Sequence, residues 1–175
     1  MDGKVKESFY LCKRKPMILT QMKRLLLVFA ALFCISLSLP AQNPLNDNPD
    51  SILGEYMILG MGNDSRVSFT RNPDGTYDCR LLWMQYATDP KTGQPLLDVK
   101  NPDKSLRGGR VDRATLIKGL KYDPDRKCWN GAKIYDPSRG IKANVTCHFL
   151  PDGRFQLRGS VLGIGEKVIW DKVKK

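Results

Sequence analysis

With 175 residues, 41% of them hydrophobic and 27% charged, the chain has a globular composition and is neither disordered nor fibrous. Its formal charge of +11 points at first to nucleic acid, but seven of its Lys/Arg residues, against two acids, fall within residues 1–41. The other 22 basic residues are interspersed with 16 acids, the pattern of a solvated surface, and this argues against a nucleic-acid partner.

In chain order, Met22-Lys23-Arg24 precedes an almost unbroken apolar run, Leu25 to Leu39, and Ala41 offers a small residue at a cleavage point before Gln42. The run is shorter than the roughly 20 residues that cross a bilayer. A cleaved signal is therefore expected over residues 1–41, with 1–21 as an upstream extension. The product would be exported, periplasmic or secreted, with no transmembrane span after cleavage. Cleavage leaves Cys79, Cys128 and Cys147 in a compartment that permits a disulfide.

Residues 42–50, polar and with two prolines, read as a linker, so the domain is expected over 51–175. Short alternating segments follow: Ser51–Leu59, Arg66–Thr70, Thr76–Trp83, Thr115–Leu120, Lys127–Tyr135, Ile141–Leu150, Phe155–Val161 and Glu166–Val173. Asp74-Gly75, Pro137 to Gly140 and Asp152-Gly153 supply turns. Eight short strands in a meander predict an all-β fold, a single antiparallel up-and-down barrel, because closure removes the exposed sheet edges. A barrel of that size fills with side chains or holds one small ligand.

The hairpin from Cys128 to Cys147 also permits an assignment of faces. Ile141, Ala143, Val145, Cys147 and Phe149 form the apolar face of its second strand, and a four-residue connection matches them with Ile134, Ala132, Asn130 and Cys128. Trp129, Lys133 and Tyr135 are then expected to point outward. Cys128 and Cys147 share a face in this register and are candidates for a disulfide, with two reduced, buried thiols as the alternative.

Met84 to Arg113 breaks the alternation over about 30 residues, a length that is usually functional or disordered. Asp89-Pro90-Lys91-Thr92-Gly93 is a turn. Asn101-Pro102-Asp103 reads as a helix start, and Gly108-Gly109 as its stop, giving one long loop with a short helix. Leu96, Leu97, Val99 and Leu106 give the segment an apolar side. A lid over one mouth of the barrel is expected, with a rigid plug as the alternative.

This loop and hairpin carry a resemblance. Asp89-Pro90, Gly93 to Asp98, Asn101-Pro102-Asp103, Leu106-Arg107-Gly108, Leu116 to Leu120, Trp129-Asn130-Gly131, Ile134 to Pro137, Leu157-Arg158-Gly159 and Trp170 together resemble the signal-bearing bacterial envelope family called domain of unknown function 2147. The resemblance covers Leu53 to Val173 and implies a small exported lipocalin-like barrel, with no established activity attached. The chain departs from it at Gly54-Glu55-Tyr56, where such barrels favour tryptophan at the third position. It departs again at Gly163 to Lys167, where a basic, Thr-containing turn is usual.

No catalytic residue, metal site or cofactor emerges from the sequence. His148 is the sole histidine, and no nucleophile motif accompanies it. The cysteines lack metal-ligand spacing, and strand neighbours Cys147 and His148 point to opposite faces. Asp89, Asp98 and Asp103 are interrupted by lysines, unlike a calcium loop. Amphipathic aromatics and the long loop favour binding over catalysis. The residues expected to line a pocket are Trp83, Tyr86, Arg107, Tyr135 and Asp136. The expected partner is a small, partly apolar or lipid-like ligand. The alternative is a protein-interaction module of the envelope that uses an outer face of Trp129, Lys133 and Tyr135.

Overall fold

The computed structural model describes residues 43–162 and 164–174; the expected signal segment lies outside them. The strands are β1 (Gly54–Ile58), β2 (Ser65–Arg71), β3 (Tyr77–Met84), β4 (Thr115–Asp123), β5 (Cys128–Asp136), β6 (Ile141–Phe149), β7 (Phe155–Val161) and β8 (Ile164–Lys172). They form a closed antiparallel barrel in chain order, with β8 paired back onto β1. All eight expected strands are present. The turns follow from their residues: Asp74 and Asp152 accept the backbone N–H of Thr76 and Arg154, two positions on, and Gly75 and Gly153 take the positive φ that closes each turn.

The two ends of the barrel differ. The end that holds the β2–β3, β4–β5 and β6–β7 turns is packed solid. Tyr56, Phe69, Trp129, Phe149 and Phe155 meet there edge to face or tilted, with ring centroids 4.9 to 6.1 Å apart. Tyr56, at the position where tryptophan was expected, is fully buried in this cluster.

Residues 43–50 do not form a linker. They fold into two 3-10 turns, Pro44–Asp47 and Pro49–Ile52, capped by Asn43 and Asn48, and these turns plug the solid end. Four aromatic side chains reach out of the core to hold the plug. Tyr56 donates to the Ile52 carbonyl, Tyr77 to Asp50, Tyr122 to the Asn46 carbonyl and Trp129 to the Pro49 carbonyl, at 2.7 to 3.0 Å. The buried Asn46 amide adds a two-way pairing with the backbone of Phe149. The eight strands, the plug and the core of the described residues all fall within one compact unit, Ala41–Lys175.

The β5–β6 register follows expectation near the turn, with Asp136 opposite Ile141, Ile134 opposite Ala143 and Ala132 opposite Val145. It then slips: Trp129, not Cys128 or Asn130, faces Cys147. Asn130-Gly131 supplies the extra residue of a β-bulge, with Gly131 at φ +77°. The bulge inverts the faces beyond it. Trp129, expected outside, becomes a central core residue, and Cys128 leaves the core face. Cys128 and Cys147 are therefore free thiols on opposite faces of their strands, both buried: the candidate bridge is not formed, and the alternative of two reduced, buried thiols is what the structure has.

Candidate functional site

The other end of the barrel is open inside. A cavity of about 770 Å³ lies between the aromatic floor and the loop segment, in the size range of small-molecule sites. Its walls are inward positions of the strands, among them Leu81, Leu116, Ile134, Leu157 and Val168, with Trp170 at the base. The space exists because two inward positions are nearly empty. Ala143 and Gly159 sit side by side on β6 and β7, and a Cβ added to Gly159 would stand 3.7 Å from Ala143 Cβ.

Residues 85–114 are folded over this mouth, as a lid or plug should be. Leu96, Leu97, Val99 and Val111 line the cavity. The segment builds its own small ladder, with bridges between Thr88 and Pro95 and between Leu97 and Arg110. It holds two 3-10 turns, Lys104–Leu106 and Val111–Arg113; the first starts later than expected, capped by Asp103, while Asn101 stabilises the turn before. At the return to β4, Arg110 grips the buried Asp112 through two hydrogen bonds, 2.9 and 2.7 Å. That guanidinium holds the Asp112 carboxyl below the usual carboxylate range.

The lid is fastened to the β5–β6 hairpin. Tyr135 follows the inward Ile134 and pairs with the exposed Lys142, yet it lies buried under the lid, donating its hydroxyl to Asp98 at 2.6 Å. Burial, then this bond to a carboxylate, raise the Tyr135 pKa. Asn101 donates to the other Asp98 oxygen at 2.7 Å, so the buried carboxylate is held by two neutral donors. Lys100 Nζ reaches the Ser138 carbonyl at 2.6 Å. Its backbone lies directly on Gly140, where an added Cβ would strike the Lys100 carbonyl oxygen and come 2.8 Å from its Cβ. Gly140 is at φ +71°, so both backbone and space require glycine there.

Of the five residues expected to line a pocket, Tyr135 and Asp136 do. Asp136 sits at the rim, 2.9 Å from Arg139, which lies 3.8 Å from Glu166. Trp83 is opposite Arg66 on the outside of β3 and 45% exposed. A register shift between Arg66 and Val67 puts it there and leaves Leu81 and Met84 as the β3 residues on the cavity. Tyr86 is 58% exposed beside Asn63, which accepts its backbone N–H. Arg107 donates Nε to the Asn101 carbonyl at 2.7 Å and holds the lid together, away from the cavity. Sequence reasoning missed Asp98 as the latch and Gly159 as the maker of space. A glycine at an inward position in mid-strand was the available signal. The outer face expected for protein contact is not formed, since Trp129 and Tyr135 are both buried.

Among the described residues no helix is long and apolar enough to cross a membrane. The family model that matches residues 54–172 carries the description "Uncharacterized protein conserved in bacteria (DUF2147)". Among curated proteins none matches the chain. Among solved structures it is similar to protein HP1028 from the human pathogen Helicobacter pylori, described as belonging to the lipocalin family. The two are 19% identical with a TM-score of 0.56, over 71% of this chain and 84% of that one. At this identity the likeness shows the fold, a lipocalin-like barrel.

Proposed function

The chain belongs to the DUF2147 family of bacterial proteins, and from that premise we propose that it is an exported, non-enzymatic barrel that binds one small, partly apolar molecule in the bacterial envelope. The observation that carries this reading is the lined, lidded cavity above a solid floor. Its inner wall is aliphatic, and its charged groups, Lys100, Asp136, Arg139 and Glu166, stand at the rim. Such a gradient suits a ligand with an apolar body inside and a polar end outside. The signal-like residues 22–41 support export. The lipocalin-like fold supports a lumenal ligand, as a barrel of eight strands has room for one.

The test is a titration with 11-(dansylamino)undecanoic acid, an environment-sensitive acyl probe, followed by fluorescence. Saturable one-to-one binding is expected. Gly159→Leu, which fills the cavity from its wall, should weaken it at least tenfold while thermal unfolding stays cooperative. Absence of probe binding, or equal binding by a folded Gly159→Leu variant, would refute the lumenal site.

A further inference from the structure

The open end carries a second feature, the tip of the β7–β8 hairpin. Val161 pairs with Ile164 across a two-residue connection, where Asn or Gly would be the favoured occupants. The first of its two positions, before Gly163, holds Leu162, at φ +51° and 98% exposed, and Ile164 beyond the connection is 85% exposed. A leucine in the left-handed region costs the fold backbone strain, and at this exposure it contributes no packing in return. The tip also stands clear of its neighbour. β8 pairs with β1 only at Lys172 and Asp171, so Ile164 to Trp170 have no β1 partner. Across that gap lie Leu59 and Met61 on the β1–β2 loop, both exposed.

This apolar rim is continuous with the cavity, because Met61, Val161 and Ile164 line the lumen and are also exposed outside it. Beneath the tip, the outward positions of β5 to β8 carry Lys133, Lys142, Arg158 and Lys167, with Arg158 directly opposite Lys167. Of the two acids of this hairpin, Asp171 lies at the far end of β8, opposite Met57, and Glu166 belongs to the lumenal side and is directed toward Arg139. An apolar tip above a basic belt matches the acyl and headgroup layers of an anionic bilayer in depth and in sign. A second copy joined through the same face would bring two basic belts together, and a free peptide strand would leave Leu162 exposed.

We propose that the open end of the barrel docks on an anionic lipid surface, the Val161–Ile164 tip entering the interface and the lysines contacting headgroups. The gap beside the lid, lined by Met61, Val161 and Ile164, then faces the apolar layer. This goes beyond the lumenal binding above and stands or falls separately from it.

The experiment is co-sedimentation of residues 42–175 with vesicles of equal parts phosphatidylglycerol and phosphatidylcholine. Wild type is expected to pellet, and the Leu162→Asp/Ile164→Asp variant to bind at least tenfold more weakly with an unchanged melting temperature, since both side chains touch little of the fold. Lys142→Glu/Lys167→Glu, 0.5 M salt or pure phosphatidylcholine should each weaken binding about tenfold. Gly159→Leu should pellet like wild type even though it loses the acyl probe. Failure to pellet on the anionic vesicles, equal pelleting by the tip variant, or a dimer abolished by Leu162→Asp in analytical ultracentrifugation would each overturn the proposal.

Discussion

The hydroxyl of Tyr135 and the carboxylate of Asp98, 2.6 Å apart and both buried, join β5 to the lid. Among the described residues no cation pairs with Asp98, and its two oxygens accept hydrogen bonds from Tyr135 and Asn101. Tyr135→Phe removes one of the two donors and leaves the oxygen buried. The expected cost is about 1.5–3 kcal/mol. Because the bond fastens the lid alone, amides of residues 96–111 should exchange faster with solvent while those of β6 and β7 stay protected. Unchanged lid exchange would mean that other contacts hold it.

Gly140→Ala tests the second fastening. Alanine at φ +71° costs about 1 kcal/mol by itself, and its methyl also meets the Lys100 backbone, so the lid must lift or the turn must move. Gly153→Ala is the matched control, with φ +85° and nothing near the added carbon. Gly140→Ala should therefore lower the melting temperature more than Gly153→Ala. It should also speed lid exchange, which the control should not. Equal melting temperatures would dissociate Gly140 from the lid.

The strands were legible because one face of each is buried, which forces period-two alternation onto the sequence. The barrel was legible because eight such segments leave two edges unless they close. What stayed hidden were slips in that period. At Asn130-Gly131 one extra residue turns Trp129 inward and Cys128 out, and Asn-Gly in mid-strand was the sign of it. At Arg66 and Val67 a second slip puts Trp83 outside. The aromatic residues and the long loop pointed to the pocket, yet most of the buried aromatics form the floor and hold the plug. The cavity itself is made by what is missing at Ala143 and Gly159, and absence of side chain carries little signal in a pattern of apolar residues.

The plug makes its own prediction. Asn46 accepts from the Phe149 N–H at 2.7 Å and donates to the Phe149 carbonyl at 2.8 Å, completing the end of β6 like an added strand residue. Asn46→Ala leaves both backbone groups buried and unpaired, at an expected cost of about 2–4 kcal/mol. Urea unfolding should show it as a lower midpoint with an unchanged slope. A change under about 0.5 kcal/mol would restore residues 43–50 to the status of a linker.

The thiols should behave as core atoms. Burial raises the Cys79 and Cys147 thiols, so neither supplies thiolate at neutral pH. Peptide mapping after iodoacetamide at pH 8 should find both unmodified in the native protein and alkylated after unfolding. Copper-phenanthroline oxidation should yield no Cys128–Cys147 peptide, because the bulge sets the two on opposite faces. Recovery of that peptide from natively folded protein would contradict the register.

His148 lies on the outer face of β6, partly buried, and burial followed by the charge of Lys167 lowers its pKa. The folded state therefore binds this proton less tightly than the unfolded chain, whose histidine titrates near 6.5. Stability from this group is fully present above about pH 6.5 and is lost as pH falls toward the lowered folded value, below which the slope vanishes. The His148 ring proton, followed by NMR, should titrate with a midpoint under 6.5, and Lys167→Gln should move that midpoint upward. His148→Gln should flatten the dependence of the urea midpoint on pH between pH 7 and 5. A wild-type midpoint at or above 6.5, or one indifferent to Lys167→Gln, would separate this histidine from the basic belt beside it.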